Sequence, residues 1–164
     1  MQALRDGEIV SDVFAYAASD GITTTPATLT VTITGQNDAP VTANDAANVQ
    51  EDGTLAASGN LLANDSDVDS DTVLTVSAPG DYVGTYGTLN LAIDGSYSYT
   101  LANDSQVVQA LRDGEVVTDI FAYAASDGLA STPAQFIVTI TGQNDGPVTV
   151  ADAASVSEDG SLVS

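Results

Sequence analysis

The sequence predicts an all-β antiparallel sandwich, repeated in tandem with a period of 107 residues. Three observations predict it. Apolar residues alternate with threonine and other polar residues at a period of two, the pattern of a half-buried strand. Gly, Asn, Asp and Pro break the chain into short segments, as turns require. Residues 2–57 return as residues 109–164, with 39 of the 56 aligned positions identical, and self-similarity at a fixed period marks an array of stacked units.

The elements follow in order. Segment 9–18 and its copy 116–125 read as strands. Ala27-Thr28-Leu29-Thr30-Val31-Thr32-Ile33-Thr34 puts apolar residues on one face and threonine on the other, and 134–141 copies it. Glu51-Asp52-Gly53 reads as a turn between two short strands. Further strands are expected at 72–77, 87–92 and 96–101, the last two joined by Asp94-Gly95, a strong hairpin signal. Only 105–111 has a helical look, with Val107, Val108 and Leu111 on one side, so at most one short helix is expected there. About seven strands in one period match an Ig-like sandwich.

Unit boundaries are expected at Asn37-Asp38-Ala39-Pro40 and Asn144-Asp145-Gly146-Pro147. Proline cannot donate to a ladder and suits a stiff junction before a first strand. The expected organisation is then 1–38, the last strands of one unit; 39–145, a whole unit; and 146–164, the first strand of a third. A two-stranded piece is marginal alone, so 1–38 docks on the whole unit, frays, or pairs with the other remnant.

Composition excludes several functions. There are 23 acidic residues against two arginines, with no lysine or histidine, for a net charge of −21. Phosphate binding needs Lys and Arg, so nucleic acid is excluded as a partner, and an anionic membrane surface is disfavoured for the same reason. No apolar run reaches the roughly 18 residues that span a bilayer, so no membrane insertion is expected. An apolar content of 43 % is too high for a disordered acidic tail. The carboxylates are therefore either dispersed and solvated or neutralised by bound cations. The absence of cysteine removes disulfides and thiolate metal sites, and fits a secreted bacterial protein stabilised by other means, although cytosolic proteins can also lack cysteine.

Asn64-Asp65-Ser66-Asp67-Val68-Asp69-Ser70-Asp71 places an aspartate at every second residue. In a loop, several of these carboxylates can converge, and Ca²⁺ accepts six to eight oxygens in flexible geometry. The loop is not an EF-hand, because Ser70 and Val76 stand where that loop needs Gly and Glu. Its alternative is a solvated acidic turn. Asn37-Asp38 and Asn144-Asp145 offer a second set of oxygens, with an Asx-turn before proline as the alternative. Glu51-Asp52-Gly53 and its copy Glu158-Asp159-Gly160 offer a third. Asp20-Gly21 and Asp127-Gly128 read first as turns. All eight carboxylates of 2–57 recur in the copy, while strand positions drift among Ile, Val, Leu and Phe.

These residues also carry a family resemblance. Ala18-Ser19-Asp20-Gly21, a strand, then Gln36-Asn37-Asp38-Ala39-Pro40 resemble the end of a cadherin-type repeat running into its calcium-binding linker. Val49-Gln50-Glu51-Asp52-Gly53 resembles the cadherin first-strand glutamate motif, and Asn64-Asp65-Ser66-Asp67 its Asp-x-Asp motif. The chain is more specifically similar to the VCBS repeats of large bacterial surface adhesins and RTX-type exoproteins. That similarity rests on Gly59-Asn60-Leu61-Leu62-Ala63-Asn64-Asp65-Ser66-Asp67-Val68-Asp69, Tyr86-Gly87-Thr88-Leu89, Asp94-Gly95-Ser96-Tyr97-Ser98-Tyr99 and Val138-Thr139-Ile140-Thr141-Gly142-Gln143-Asn144-Asp145. The resemblance implies a junctional Ca²⁺ site. Asn37 and Asp38 would face Asp65, Asp67 and Asp69 or Asp71, with Asp127 closing the site, and Glu51 would lie at the far end near Asn144 and Asp145. Leu101-Ala102-Asn103-Asp104 departs from the cadherin Leu-Asp-Arg-Glu motif, so one or two ions per junction are expected.

The function so implied is structural: a segment that extends a secreted or cell-surface bacterial adhesin, its joints stiffened by Ca²⁺, in support of cell adhesion or biofilm formation. Its partners are neighbouring repeats in the same chain, and a cell-surface glycan or protein reached through other domains. High calcium outside the cell would couple folding to export. A module that itself grips a glycan or host receptor is the alternative, and an accessory domain of a secreted carbohydrate-active enzyme a remote one. Catalysis is not expected: without Cys, His or Lys, thiol, imidazole and Schiff-base mechanisms are closed.

Overall fold

The structure, a computed structural model, describes residues 3–156 and 158. The chain is all-β with one short helix. Its strands are β1 (Ile9–Ser19), β2 (Thr24–Thr34), β3 (Asp45–Gln50), β4 (Ala56–Asn60), β5 (Thr75–Val76), β6 (Gly80–Val83), β7 (Gly87–Leu91), β8 (Ser96–Leu101), β9 (Val116–Ser126) and β10 (Ser131–Thr141), with α1 (Gln106–Gln109) between β8 and β9. Strands β3 to β10 form a sandwich. One sheet has the order β3-β10-β9-β5, and the other β4-β8-β7-β6. Strands β1 and β2 make a separate two-stranded antiparallel sheet.

Alternation decides which side chains meet between the sheets. In β10, Ala134, Phe136, Val138 and Ile140 are buried, while Gln135 faces solvent. Leu89 and Leu91 of β7 and Tyr99 and Leu101 of β8 face them from the opposite sheet. Aromatic rings fill the middle: Phe136 lies 4.5 Å from Tyr97 and 6.4 Å from Phe121 between centroids. The single turn of α1 drops Val108, with Leu111 after it, into the open end of this core. The Asp94-Gly95 hairpin forms as expected, with Gly95 at φ +83°, a conformation glycine adopts without a Cβ penalty. No helix among the described residues is long and apolar enough to cross a membrane.

Three expectations need correction. The sandwich is not wholly antiparallel: β3 runs parallel to β10, from Phe136 opposite Asp45 to Thr141 opposite Gln50. Strand 72–77 shrinks to Thr75–Val76, because Asp69–Thr72 is a turn closed by the Thr72 N–H on the Asp69 carbonyl, 3.4 Å. Strand β6 was unforeseen. Its four residues are too few to show a period, and Tyr82 is its one half-buried apolar side chain besides an exposed Val83.

One buried carboxylate ties the two sheets together. Asp119 of β9 is 3 % exposed. Its oxygens accept the backbone N–H groups of Thr85, Tyr86 and Gly87, at 2.8, 3.1 and 3.0 Å, and the Tyr99 hydroxyl at 2.8 Å. The donors all belong to the other sheet or to its β6–β7 turn. Burial first, and then Asp119, pushes the Tyr99 phenol far above its ordinary value, so it remains a donor. Four donors outweigh the cost of burying one charge.

The β1–β2 hairpin repeats the sequence of β9–β10 without its partner. Phe14 is 54 % exposed where Phe121 is 7 %, and Leu29 is 55 % exposed where Phe136 is fully buried. Among the described residues, no second sheet covers this face. Each such side chain forgoes roughly 1.5–3 kcal/mol of burial.

Three outcomes are expected. Asp119→Ala strands three N–H groups and a phenol, so urea denaturation of this variant should show a loss of about 3 kcal/mol or more. Gly87→Ala should also destabilise, since the new Cβ would lie 2.5 Å from the Thr100 carbonyl; an unchanged midpoint for Asp119→Ala would refute the role of Asp119 in joining the sheets. In hydrogen exchange, the amides of β9–β10 should be protected at least about 100-fold more than those of β1–β2, despite near-identical sequences.

Candidate metal centre at the unit junction

The linker is held against the acidic loop by its backbone. Val41 and Ser66 exchange both N–H···O bonds, at 2.7 and 3.0 Å, in an antiparallel bridge. That bridge brings Asn37 and Asp38 beside the loop's second half. The Asp38 N–H donates to Asp69 Oδ2 at 3.0 Å, and the Asp69 N–H donates to Asp67 Oδ1 at 2.8 Å. Asn37 Nδ2 donates to the Asp38 carbonyl at 2.8 Å and to Asp127 Oδ2 at 2.9 Å. Asp127 stands at the β9–β10 turn, where its Oδ1 accepts the N–H groups of Leu129 and Ala130, both at 2.6 Å. Five residues from three chain segments therefore meet: Asn37, Asp38, Asp67, Asp69 and Asp127.

Two oxygens in this group have no partner. Asp69 is 6 % exposed, and its Oδ1 is buried without a hydrogen bond, as is Asp67 Oδ2. Buried carboxylate oxygens are normally satisfied by donors or a cation. At Asp127 burial raises the carboxyl's pKa, but the Ala130 N–H, the Asn37 amide and the Leu129 N–H together outweigh it and hold the group below its ordinary value. Beside these residues opens a cleft of about 440 Å³, lined by Arg5, Asp6, Asn37, Asp69, Asp71 and Asp127 among others.

The remaining expected ligands lie elsewhere. Asp65 turns toward the sandwich: its Oδ1 accepts the Ala43 N–H at 2.9 Å, and its Oδ2 is 3.5 Å from the Tyr123 hydroxyl. That hydroxyl also donates to Asp45 at 2.7 Å. Burial raises the Asp45 carboxyl, the Tyr123 bond opposes this, the Asp65 charge adds to it, and the exposed Asn64 amide opposes it again. Asp71 is paired with Arg5. At the far end, Glu51 is fully buried, accepting the Gln143 N–H at 2.9 Å and Gln109 Nε2 at 3.3 Å. Asn144 Nδ2 donates to the Asp145 carbonyl at 2.9 Å, both residues exposed, which repeats the geometry of Asn37 and Asp38. Glu158 lies in a turn, and Asp159 and Gly160 fall outside the described residues. The strand expected in 146–164 is not formed over 146–156, where only Ser155 makes a bridge, since no partner sheet lies beside it among the described residues.

Among the described residues, no three carboxylates or other acidic, histidine or cysteine groups come together closely enough to hold a metal by themselves. Amide and backbone oxygens have to complete any shell, a mixture that Ca²⁺ takes and that Zn²⁺ does not favour. The unpartnered oxygens of Asp67 and Asp69 fit such an ion. Sequence reasoning passed over Asp119 and Arg5. Asp119 was detectable as a charge at an inward position, in step with Phe121 and Tyr123; Arg5 was detectable as the one cation of its period.

No curated protein matches the chain. A solved endo-fucoidan hydrolase of glycoside hydrolase family 107 is similar over 82 % of this chain, at 19 % identity and a TM-score of 0.39. The chain spans only 19 % of that enzyme's length. The profile of the bacterial cadherin-like domain matches residues 37–142, which takes in the whole sandwich, its linker and the acidic loop. The chain belongs to the bacterial cadherin-like domain family.

Proposed function

We propose that the chain is a stretch of a tandem VCBS-type array that extends a secreted or cell-surface bacterial adhesin, with Ca²⁺ bound where one unit meets the next. Its role is mechanical and not catalytic. The observation that carries this reading is that Asp67 and Asp69 each keep one buried, unpartnered oxygen in a loop whose Asp69 Oδ2 is held by the Asp38 N–H of the linker. A buried carboxylate oxygen without a donor is costly, and a divalent cation would remove that cost. Asp67, Asp69 and Asp127 would supply carboxylates, Asn37 its amide oxygen after turning its side chain, and Asp38 a carboxylate or carbonyl. The bound ion would supply charge neutralisation and a fixed angle between units, where small interfaces otherwise hinge.

The far end of the unit supports the same reading. Glu51 is buried and holds the Gln143 N–H, so it anchors the segment on which the exposed Asn144 and Asp145 repeat the Asn37–Asp38 geometry; those two would face the acidic loop of a following unit. Neighbouring repeats are then the immediate partners, and a glycan or protein is reached by other domains of the parent.

Ca²⁺ should raise the melting temperature over that in chelator. At 100 times the dissociation constant it adds about 2.7 kcal/mol, which for a unit of this size is roughly 10 °C or more. Asp69→Asn should abolish most of that rise while leaving the melting temperature in chelator equal or higher, because it removes a buried charge. An equal drop in both conditions would make Asp69 merely structural, and no calcium effect on the unsubstituted chain would sink the reading.

Asn37→Ala tests the cross-junction contact by titration. The carboxyl of Asp127 is depressed below 3.8, so its linkage stabilises the fold above that pH and is lost as pH falls through the lower folded value. Removing the Asn37 amide should move the Asp127 midpoint up toward 3.8, followed by side-chain carboxyl NMR. Asp20, the counterpart held only by Thr23 and Ile22 and itself, should not move.

A further inference from the structure

One ion pair exists among the described residues, and it crosses the junction. Arg5 Nη2 meets the Asp71 carboxylate and Arg5 Nε donates to the Ser70 carbonyl, both at 2.5 Å. The Ser70 N–H in turn donates to the Ala3 carbonyl at 3.2 Å. The segment 3–5 of one unit is thus joined at three points to the loop of the next. Asp71 adopts φ +57°, an uncommon conformation that aspartate tolerates better than most residues.

We propose that Arg5 is a metal-independent clamp between consecutive units, and that Arg112 presents the same clamp to the Ser70–Asp71 counterpart of a following unit. The inference rests on the tandem-array reading. Each period of 107 residues holds one cation; 40–146 has Arg112 against 15 acidic residues. That cation sits at the joint, in the cleft it shares with Asp6, Asp69 and Asp127, beside carboxylates of both units.

The two arginine loops are built alike. The Arg5 N–H donates to Glu8 Oε2 at 3.1 Å, and the Arg112 N–H to Glu115 Oε2 at 3.0 Å. The Gly35 N–H reaches the Glu8 carbonyl at 2.7 Å, and the Gly142 N–H the Glu115 carbonyl at 2.8 Å. The backbone therefore presents Arg112 at the far end as it presents Arg5 at the junction. A solvent-facing ion pair adds little stability. A planar guanidinium that grips a carboxylate and a carbonyl together instead fixes direction. With Asp71 committed to Arg5, it leaves the metal set to Asp67, Asp69 and their neighbours, and the clamp and the ion act side by side.

The two arginines give two Nε–H signals in the ¹⁵N NMR spectrum of the full chain, so Arg112 serves as the internal reference. In chelator at low salt, the Arg5 Nε–H should exchange with water at least about tenfold more slowly than that of Arg112. Asp71→Ala should erase most of that difference, and 1 M NaCl should reduce it. In the same chelator, Arg5→Gln should let the β1–β2 amides tumble faster than those of β9–β10, and Arg5→Lys should fall between, keeping the charge without the fork. Equal exchange of the two arginines in chelator overturns the clamp. A protected Arg5 in a chain whose melting ignores Ca²⁺ overturns the metal reading and leaves the clamp standing. A calcium-raised melting temperature with an unprotected Arg5 does the reverse.

Discussion

Backbone N–H groups, not cations, hold the negative charge of this fold in place. With two arginines for 23 carboxylates, ion pairing cannot be the general solution. Instead the acids sit where strands end and N–H groups are left over. Asp127 and Asp20 each take two N–H groups at a turn, Asp94 takes Ser96, Glu51 takes Gln143, and Asp65 takes Ala43. Asp119 takes three from within the sandwich. Charge-assisted bonds of this kind are about twice as strong as neutral ones. They let a chain at −21 stay compact, with most of these acids in loops and at strand ends and Asp119 alone among them set on the inner face. Asp67 and Asp69 are the exception, since each keeps one buried oxygen without a donor.

The same sequence appears here in two environments. Strands β1–β2 and β9–β10 share their register and length, from Ile9 opposite Thr34 and Thr141 opposite Val116 to the turn. Local pattern alone is therefore enough for the hairpin. The core is a different matter: Phe121, Tyr123, Phe136 and Val138 are buried only because β7 and β8 close over them. Asp119 makes the point sharply. Its copy Asp12 is exposed in β1, and the carboxylate becomes a fastening only when the β6–β7 turn lies across it.

Much of this was legible in the sequence, for identifiable reasons. Long alternating segments such as β9 and β10 declare both their strand character and their inner face. Asp94-Gly95 declares its turn. The parallel pairing of β3 with β10 could not be read, because it joins residues some 91 positions apart and leaves no local trace. The acidic loop was half legible. Spacing by two made Asp65, Asp67, Asp69 and Asp71 look equivalent, yet the bridge at Ser66 and the turn at Asp69–Thr72 send them different ways. Asp65 goes to Ala43 and Tyr123, Asp71 to Arg5, and only the middle pair stays at the linker. Periodicity reports which side of an extended strand a residue occupies, and a loop that turns twice does not keep sides.

The parallel β3–β10 pairing also decides how the unit meets a pulling force. The first strand and the last lie side by side and point the same way, over six paired positions from Asp45 opposite Phe136 to Gln50 opposite Thr141. Tension applied through the linkers draws β3 backward and β10 forward along one shared line. Their hydrogen bonds are then strained together, in shear, and cannot unzip one at a time as an antiparallel terminal pair would. Resistance to extension is thereby written into the direction of a single six-residue strand.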